Sequence, residues 1–137
     1  MLRLASQRDQ LRVIDDQIGA PTGADLLADA TAHALRTLAQ KPELAGLYHL
    51  AASGETSWHG YARFVIEWAR SRGHSIQLAP EQLLPIPTRD YPTPAPRPLN
   101  SRLDTTRFRR AFSLTLPPWE AGVTRLLHEL LDPAAAA

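Results

Sequence analysis

Leu11-Arg12-Val13-Ile14-Asp15-Asp16-Gln17-Ile18-Gly19-Ala20-Pro21-Thr22-Gly23 decides how this chain folds. Leu11, Val13 and Ile14 make a short apolar run that reads as a strand. Asp15 to Gly23 is rich in turn formers. From Ala24 to Ala39, Leu26, Leu27, Ala30, Ala34, Leu35 and Leu38 recur at helical spacing. Thr22-x-x-Asp25 predicts a capping box at the start of that helix. A strand that turns directly into a helix is a unit of an open parallel sheet, in which ligands bind beyond the carboxyl ends of the strands. Asp15, Asp16 and Gln17 stand at such an end, and their amide and carboxylate groups suit the hydroxyls of a sugar, although an Asx-type turn would also explain the aspartates.

Outward from this unit the pattern continues. Residues 1–9 read as the last turns of an amphipathic helix, with Met1, Leu2, Leu4 and Ala5 apolar. Gly46-Leu-Tyr-His-Leu-Ala-Ala52 reads as a second strand, in which His49 is expected to be a hydrogen-bonded core residue. Ser57 to Arg72 reads as a helix with Trp58, Tyr61, Ala62, Val65 and Ala69 on one face, ended by Gly73, and Ser75 to Ala79 as a third strand. Residues 80–98 hold seven prolines in 19 positions, which predicts an extended, stiff segment wrapping the surface. Leu103-Asp104 opens a short helix with Asp104 as N-cap and a Leu103–Phe108 staple. Pro118 to Leu131 carries Trp119, Val123, Leu126, Leu127 and Leu130 on one stripe, and the tail 132–137 is expected to fray. The expected fold class is therefore α/β, with late parallel strands and a small helical substrate-binding part. Residues 1–79 would end a Rossmann-like domain with a substrate-facing loop at 15–23, and 80–137 would form the proline-rich loop and C-terminal helices. Two or three short strands make a poor parallel sheet by themselves. The expectation is that Met1 is internal to a longer sequence carrying most of the sheet, and that the exposed edge favours self-association.

Composition narrows the chemistry. The chain has 137 residues, a net charge of +1 and no cysteine, which gives no global field toward nucleic acid and excludes thiolate catalysis and disulfides. The amino terminus lacks a long apolar run, so no membrane span or signal peptide is expected and the cytoplasm is the default. Fourteen of the 15 basic residues are arginine, a side chain whose planar fork suits phosphate and carboxylate, although genomic base composition would also give this bias. There is no G-x-S-x-G serine and no H-E-x-x-H metal motif. Gly19-Ala-Pro-Thr-Gly23 follows a strand, but the next glycine that a dinucleotide turn requires is Asp25, whose charge would repel phosphate. The Tyr-x-x-x-Lys proton donor of short-chain reductases is impossible here, because Lys41 is the only lysine and Thr37 stands four residues before it. No catalytic and no cofactor-binding residue is expected in this chain. What remains is ligand binding: Arg97, held between Pro96 and Pro98, presents a preorganised guanidinium suited to a diphosphate, or alternatively to a salt bridge holding the loop down. His59, beside Trp58 at a helix start, is a further candidate for a ligand contact.

Together, DDQIGAPTGADLLADATAHAL at 15–35, GLYHLAASGETSWHGYA at 46–62, PTPAPRPLNSRLDTTRF at 92–108 and LPPWEAGVTRLLHELL at 116–131 resemble the C-terminal portion of the dTDP-4-dehydrorhamnose reductases, a family of extended short-chain dehydrogenases. The resemblance runs in order from about Met1 to Leu131. It implies reduction of a dTDP-4-keto sugar to dTDP-L-rhamnose with NADPH or NADH, completed by an N-terminal cofactor-binding half. It also implies that Gln17 and Arg97 face the nucleotide-sugar, with Asp16 and Asn100 beside them, although Asn100 and Ser101 would equally serve as helix caps. Some members dimerise around magnesium held by carboxylates, for which Glu129 is the candidate. Two further readings share the same residues: a non-catalytic regulatory module, and part of an epimerase or dehydratase acting on another sugar nucleotide.

Overall fold

The computed structural model describes residues 1–132 and shows a mixed α/β chain with parallel strands and several helices. In chain order the elements are α1 (Leu2–Ala5), β1 (Leu11–Ile14), β2 (Ile18–Gly19), α2 (Ala24–Leu38), β3 (Thr56–Ser57), α3 (Trp58–Ser71), β4 (Leu83–Ile86), α4 (Thr106–Phe112) and α5 (Trp119–Leu131). β1 pairs with β4 in parallel, from Leu11 opposite Leu83 to Ile14 opposite Ile86, and β2 pairs with β3 antiparallel. Among the described residues no helix is long and apolar enough to cross a membrane.

α3 organises the core. Ala62, Val65, Ile66 and Ala69 follow the spacing of one helical stripe, and all four are buried. Ala62 and Ile66 close over β1 and β4 with Ala5, Leu11, Leu78 and Leu83. Val65 packs beside Ala52, Trp119, Val123 and Leu127, which joins α3 to α5. A separate cluster of Ala30, Ala34, Phe108, Phe112 and Leu116 seals α2 against α4. Gly73 ends α3 as expected: its φ of 81° lets His74 N–H donate to Ala69 O (3.1 Å) and Gly73 N–H to Arg70 O (3.0 Å), the paired bonds of a Schellman motif.

Several sequence expectations need correction. Residues 46–52 form no strand, because no neighbouring strand offers a ladder and their polar groups are met singly instead. Thr22 Oγ1 accepts from Ala52 N–H (3.1 Å), Arg107 donates to Leu47 O (3.0 Å), and only Ser53 makes a bridge, to Pro118. His49 is accordingly exposed and not in the core. Residues 75–79 form no strand either; the partner of β1 is Leu83–Ile86, inside the proline-rich segment. Ile86 turns its backbone toward β1, accepting from Asp15 N–H (2.9 Å), so Pro85 turns its missing donor to the open side, where a ladder loses nothing. The Thr22-x-x-Asp25 capping box does not form: Gly23 is the N-cap, without a side-chain bond, and the Thr22 hydroxyl donates to Ala20 O (2.9 Å). Asp104 accepts from Thr106 N–H (2.8 Å) one residue before the N-cap Thr105, and Leu103 stays exposed, so its staple to Phe108 is open. On α5, Trp119, Val123 and Leu127 are buried while Leu126 and Leu130 are exposed, leaving a narrower stripe than expected. The expected fraying concerns residues mostly beyond Asp132, outside the described ones.

Candidate functional site

The loop after β1 and the start of α3 form one wall of a groove of about 870 Å³. Ile18 is the hinge of this construction. It pairs with Ser57 on one side, while on the other its N–H donates to Leu99 O (2.8 Å) and its carbonyl accepts from Ser101 N–H (2.8 Å). The loop thus ties together the head of α3 and the proline-rich strap 91–102. That strap is exposed along its length and is held further by a salt bridge from Arg102 to Glu55 (3.0 Å).

The groove is lined by Gln17, Pro21, Thr56, Trp58, Tyr61, Thr93, Arg97, Pro98 and Ser101, among others. Of the sequence-predicted contacts, the structure brings Gln17 and Arg97 to this groove. Arg97 is the only charged residue lining it, and no ion pair from Arg97 holds the strap down among the described residues. A lone guanidinium in a groove without a lining carboxylate favours an anionic ligand. Gln17 is buried, and its Nε2 donates to Thr88 Oγ1 (3.1 Å), which leaves the amide oxygen to accept a hydroxyl.

Asp16 stands differently from its predicted role. Its carboxylate accepts from Thr88 N–H (2.9 and 3.0 Å) and from the Thr88 hydroxyl (2.5 Å), and it does not line the groove. The Thr88 hydroxyl bond, followed by the Thr88 backbone bond, holds the Asp16 carboxyl below its ordinary value of 3.8. Asp16 therefore orients Thr88, and Thr88 orients Gln17. Asn100 also points its bonding elsewhere: its Oδ1 accepts from Arg102 N–H (3.1 Å) and Nε–H (2.9 Å), an Asx turn that shapes the strap. His59 is tied to the fold, with Nε2 3.0 Å from Leu83 O and Nδ1 3.7 Å from Asp15.

Glu129 lies in a second, smaller recess of about 360 Å³ with Asp25, Arg125, Gly122 and Leu126. Arg125 forms salt bridges to both Asp25 and Glu129. A guanidinium between the two carboxylates already supplies their counter-charge. Among the described residues there is also no group of three or more histidine and acidic side chains able to hold a metal ion. Within one chain, this donor set does not fit magnesium.

Sequence reasoning missed three groups. Thr88 carries no local signal, because its role exists only once β4 lies beside β1. Ser57 could have been found as a serine immediately before an apolar helical run: its Oγ accepts from Gly60 N–H (2.9 Å), capping α3, and donates to Asp15. Trp58 was placed on the packing face of its helix, yet it stands 53% exposed at the groove.

Residues 1–132 match the model of the RmlD substrate binding domain. The chain is 58% identical over 135 residues to a dTDP-4-dehydrorhamnose reductase of Shigella flexneri, covering 98% of this chain and 44% of the relative. It is 59% identical over 130 residues to the one of Salmonella typhimurium, covering 95% of this chain and 43% of that one. The chain thus spans less than half the length of these relatives. Its fold is similar to that of a dTDP-4-dehydrorhamnose reductase of Bacillus anthracis solved in complex with NADP, with a TM-score of 0.72 and 28% identity over 93% of this chain and 41% of the other. By its match over residues 1–132, the chain belongs to the RmlD substrate binding domain family.

Proposed function

We propose that this chain is the nucleotide-sugar-binding part of an NAD(P)H-dependent reductase that converts dTDP-4-dehydro-L-rhamnose to dTDP-L-rhamnose. One observation carries the reading: a groove whose single lining charge among the described residues is Arg97 includes a buried glutamine whose amide is held by Thr88. Arg97 takes the diphosphate and Gln17 accepts a sugar hydroxyl. Asp16 acts through Thr88 to fix Gln17, and Asn100 acts through the turn of the strap. In this reading residues 1–79 end the α/β domain and are joined there by β4, while the strap 91–102 and helices α4 and α5 complete the substrate-facing part.

The chain's part in the reaction is binding and orientation. NADPH or NADH supplies the hydride in the whole enzyme, where an N-terminal half would carry the cofactor turn and the proton donor. The chain's own turn at Gly19–Gly23 lacks the glycine spacing of a dinucleotide turn, Asp25 standing where the next glycine is required. Alone, the chain is expected to oxidise no NADPH with the keto-sugar.

The direct test is a thermal-shift and calorimetric panel of dTDP-, UDP- and GDP-sugars against the wild type and Arg97→Ala. A charge-assisted contact contributes about 1.5–3 kcal/mol, so Arg97→Ala should weaken the dTDP-sugar by about tenfold or more. Equal response to all three nucleotides removes the thymidine specificity, and an indifferent Arg97→Ala removes the diphosphate contact. A homodimer with magnesium held by carboxylates, Glu129 among them, is the finest part of the reading and requires carboxylates from a second copy. Sedimentation with and without EDTA tests it: a dimer lost in EDTA supports the site, and one that is indifferent to EDTA removes it.

A further inference from the structure

We infer that Trp58 is the platform on which the groove stacks the base of its nucleotide; the inference rests on the nucleotide-sugar reading above. The chain has three tryptophans, and they are treated differently. Trp119 is 6% exposed and Trp68 packs against the same cluster, whereas Trp58 keeps 53% of its surface in water. What sets Trp58 apart from the other exposed apolar side chains is its place in the groove, where its ring offers a flat apolar face beside Arg97.

The ring also has a fixed starting point and an aromatic neighbour. Trp58 is the first residue of α3, directly after the Ser57 cap that is bonded to Gly60 N–H and to Asp15. Its ring meets Tyr61 nearly edge-on, at 6.2 Å and 86°, and Tyr61 in turn touches Trp119, 6.2 Å away in the buried cluster. Pro21 and Pro98 line the same groove and add flat apolar surface. Arg97, next to Pro98, adds the one lining charge. A planar ring, apolar rings and a single guanidinium together match a nucleoside diphosphate, whose base offers a π-face and whose diphosphate offers the anion. Inorganic pyrophosphate would use the guanidinium and leave the ring idle.

This difference sets the experiment. Binding of dTDP and of inorganic pyrophosphate is measured by calorimetry on the wild type, Trp58→Ala and Trp58→Phe. Stacking on an aromatic side chain is a large term for a base, so Trp58→Ala should bind dTDP about tenfold or more weakly while pyrophosphate is unchanged. Trp58→Phe should recover most of the loss. In the wild type, the Trp58 indole N–H resonance should shift with dTDP and stay in place with pyrophosphate, a readout that needs no variant to fold. Equal dTDP affinity in Trp58→Ala, parallel loss of both ligands, or an indole signal that ignores dTDP overturns the platform. A wild-type chain that binds no dTDP at all overturns the nucleotide-sugar reading itself, and the platform with it.

Discussion

Replacing Ser57 by alanine tests how the fold and the groove are joined, because one hydroxyl serves both. Its oxygen accepts from Gly60 N–H at 2.9 Å, satisfying one of the free donors at the head of α3. Loss of such a cap costs about 1 kcal/mol. The same hydroxyl donates to Asp15, whose side chain is half exposed, so screening by water reduces that bond to about 0.5–1 kcal/mol. Ser57→Ala should therefore destabilise the chain by about 1.5–2 kcal/mol, a fall in Tm of roughly 5 °C. Asp15→Ala removes the second part together with the 3.7 Å contact to His59, and should cost about 0.5–1 kcal/mol. The double variant should cost little more than Ser57→Ala alone, since the shared bond can be lost only once. Urea titrations of the four proteins complete the cycle. A cost for Asp15→Ala equal to that of Ser57→Ala would refute the assignment of the cap to this hydroxyl, and additive losses in the double variant would refute the shared bond.

Other expectations follow from the same structure. Leu78 is 1% exposed between α1, α3 and the strands, so Leu78→Ala should cost about 2–5 kcal/mol in chemical denaturation, with the m-value unchanged. Gly54 and Gly73 both have φ near +80°, which costs an alanine about 1–2 kcal/mol. A Cβ at Gly54 would also meet Trp119 Cδ1 at 3.2 Å, whereas one at Gly73 meets nothing, so Gly54→Ala should be the more damaging in a thermal melt. The Asp16 and Asp104 carboxyls are both held below 3.8, chiefly by side-chain bonds from Thr88 and Thr106. Their stabilisation is fully present above the unfolded value and is lost as pH falls through the lower folded values. Thr88→Val should flatten the acid side of a plot of Tm against pH, and an unaltered slope would show that the Thr88 hydroxyl is not the cause.

Local order was legible where a single element explains itself. The stripe Ala62, Val65, Ile66 and Ala69, the stop at Gly73 and the strand at 11–14 follow from periodicity and glycine chemistry, and they appear where the residues place them. The loop 15–23 was legible as a turn after a strand, and folding brings its Gln17 to the same groove as Arg97. The strands at 46–52 and 75–79 failed for a shared reason. An apolar run states a preference for extension, but a strand exists only when a neighbour supplies hydrogen bonds. Leu83–Ile86, despite Pro85, obtained that neighbour in β1.

By itself, then, the amino-acid order determined the helices, the turns, the exclusion of a Tyr-x-x-x-Lys pair by the solitary Lys41, and the choice of Gln17 and Arg97 as candidates that the groove brings together. Tertiary structure alone decided which polar groups are spent. Asp16 looks as available as Gln17 on paper, but Thr88, 72 residues away, claims its oxygens, whereas the Asn100 turn onto Arg102 is local. It also decided that Trp58 faces the groove while Trp119 faces the core. Hydrogen bonds and burial depend on what lies nearby in space, and for residues so far apart along the chain that proximity is created only by folding.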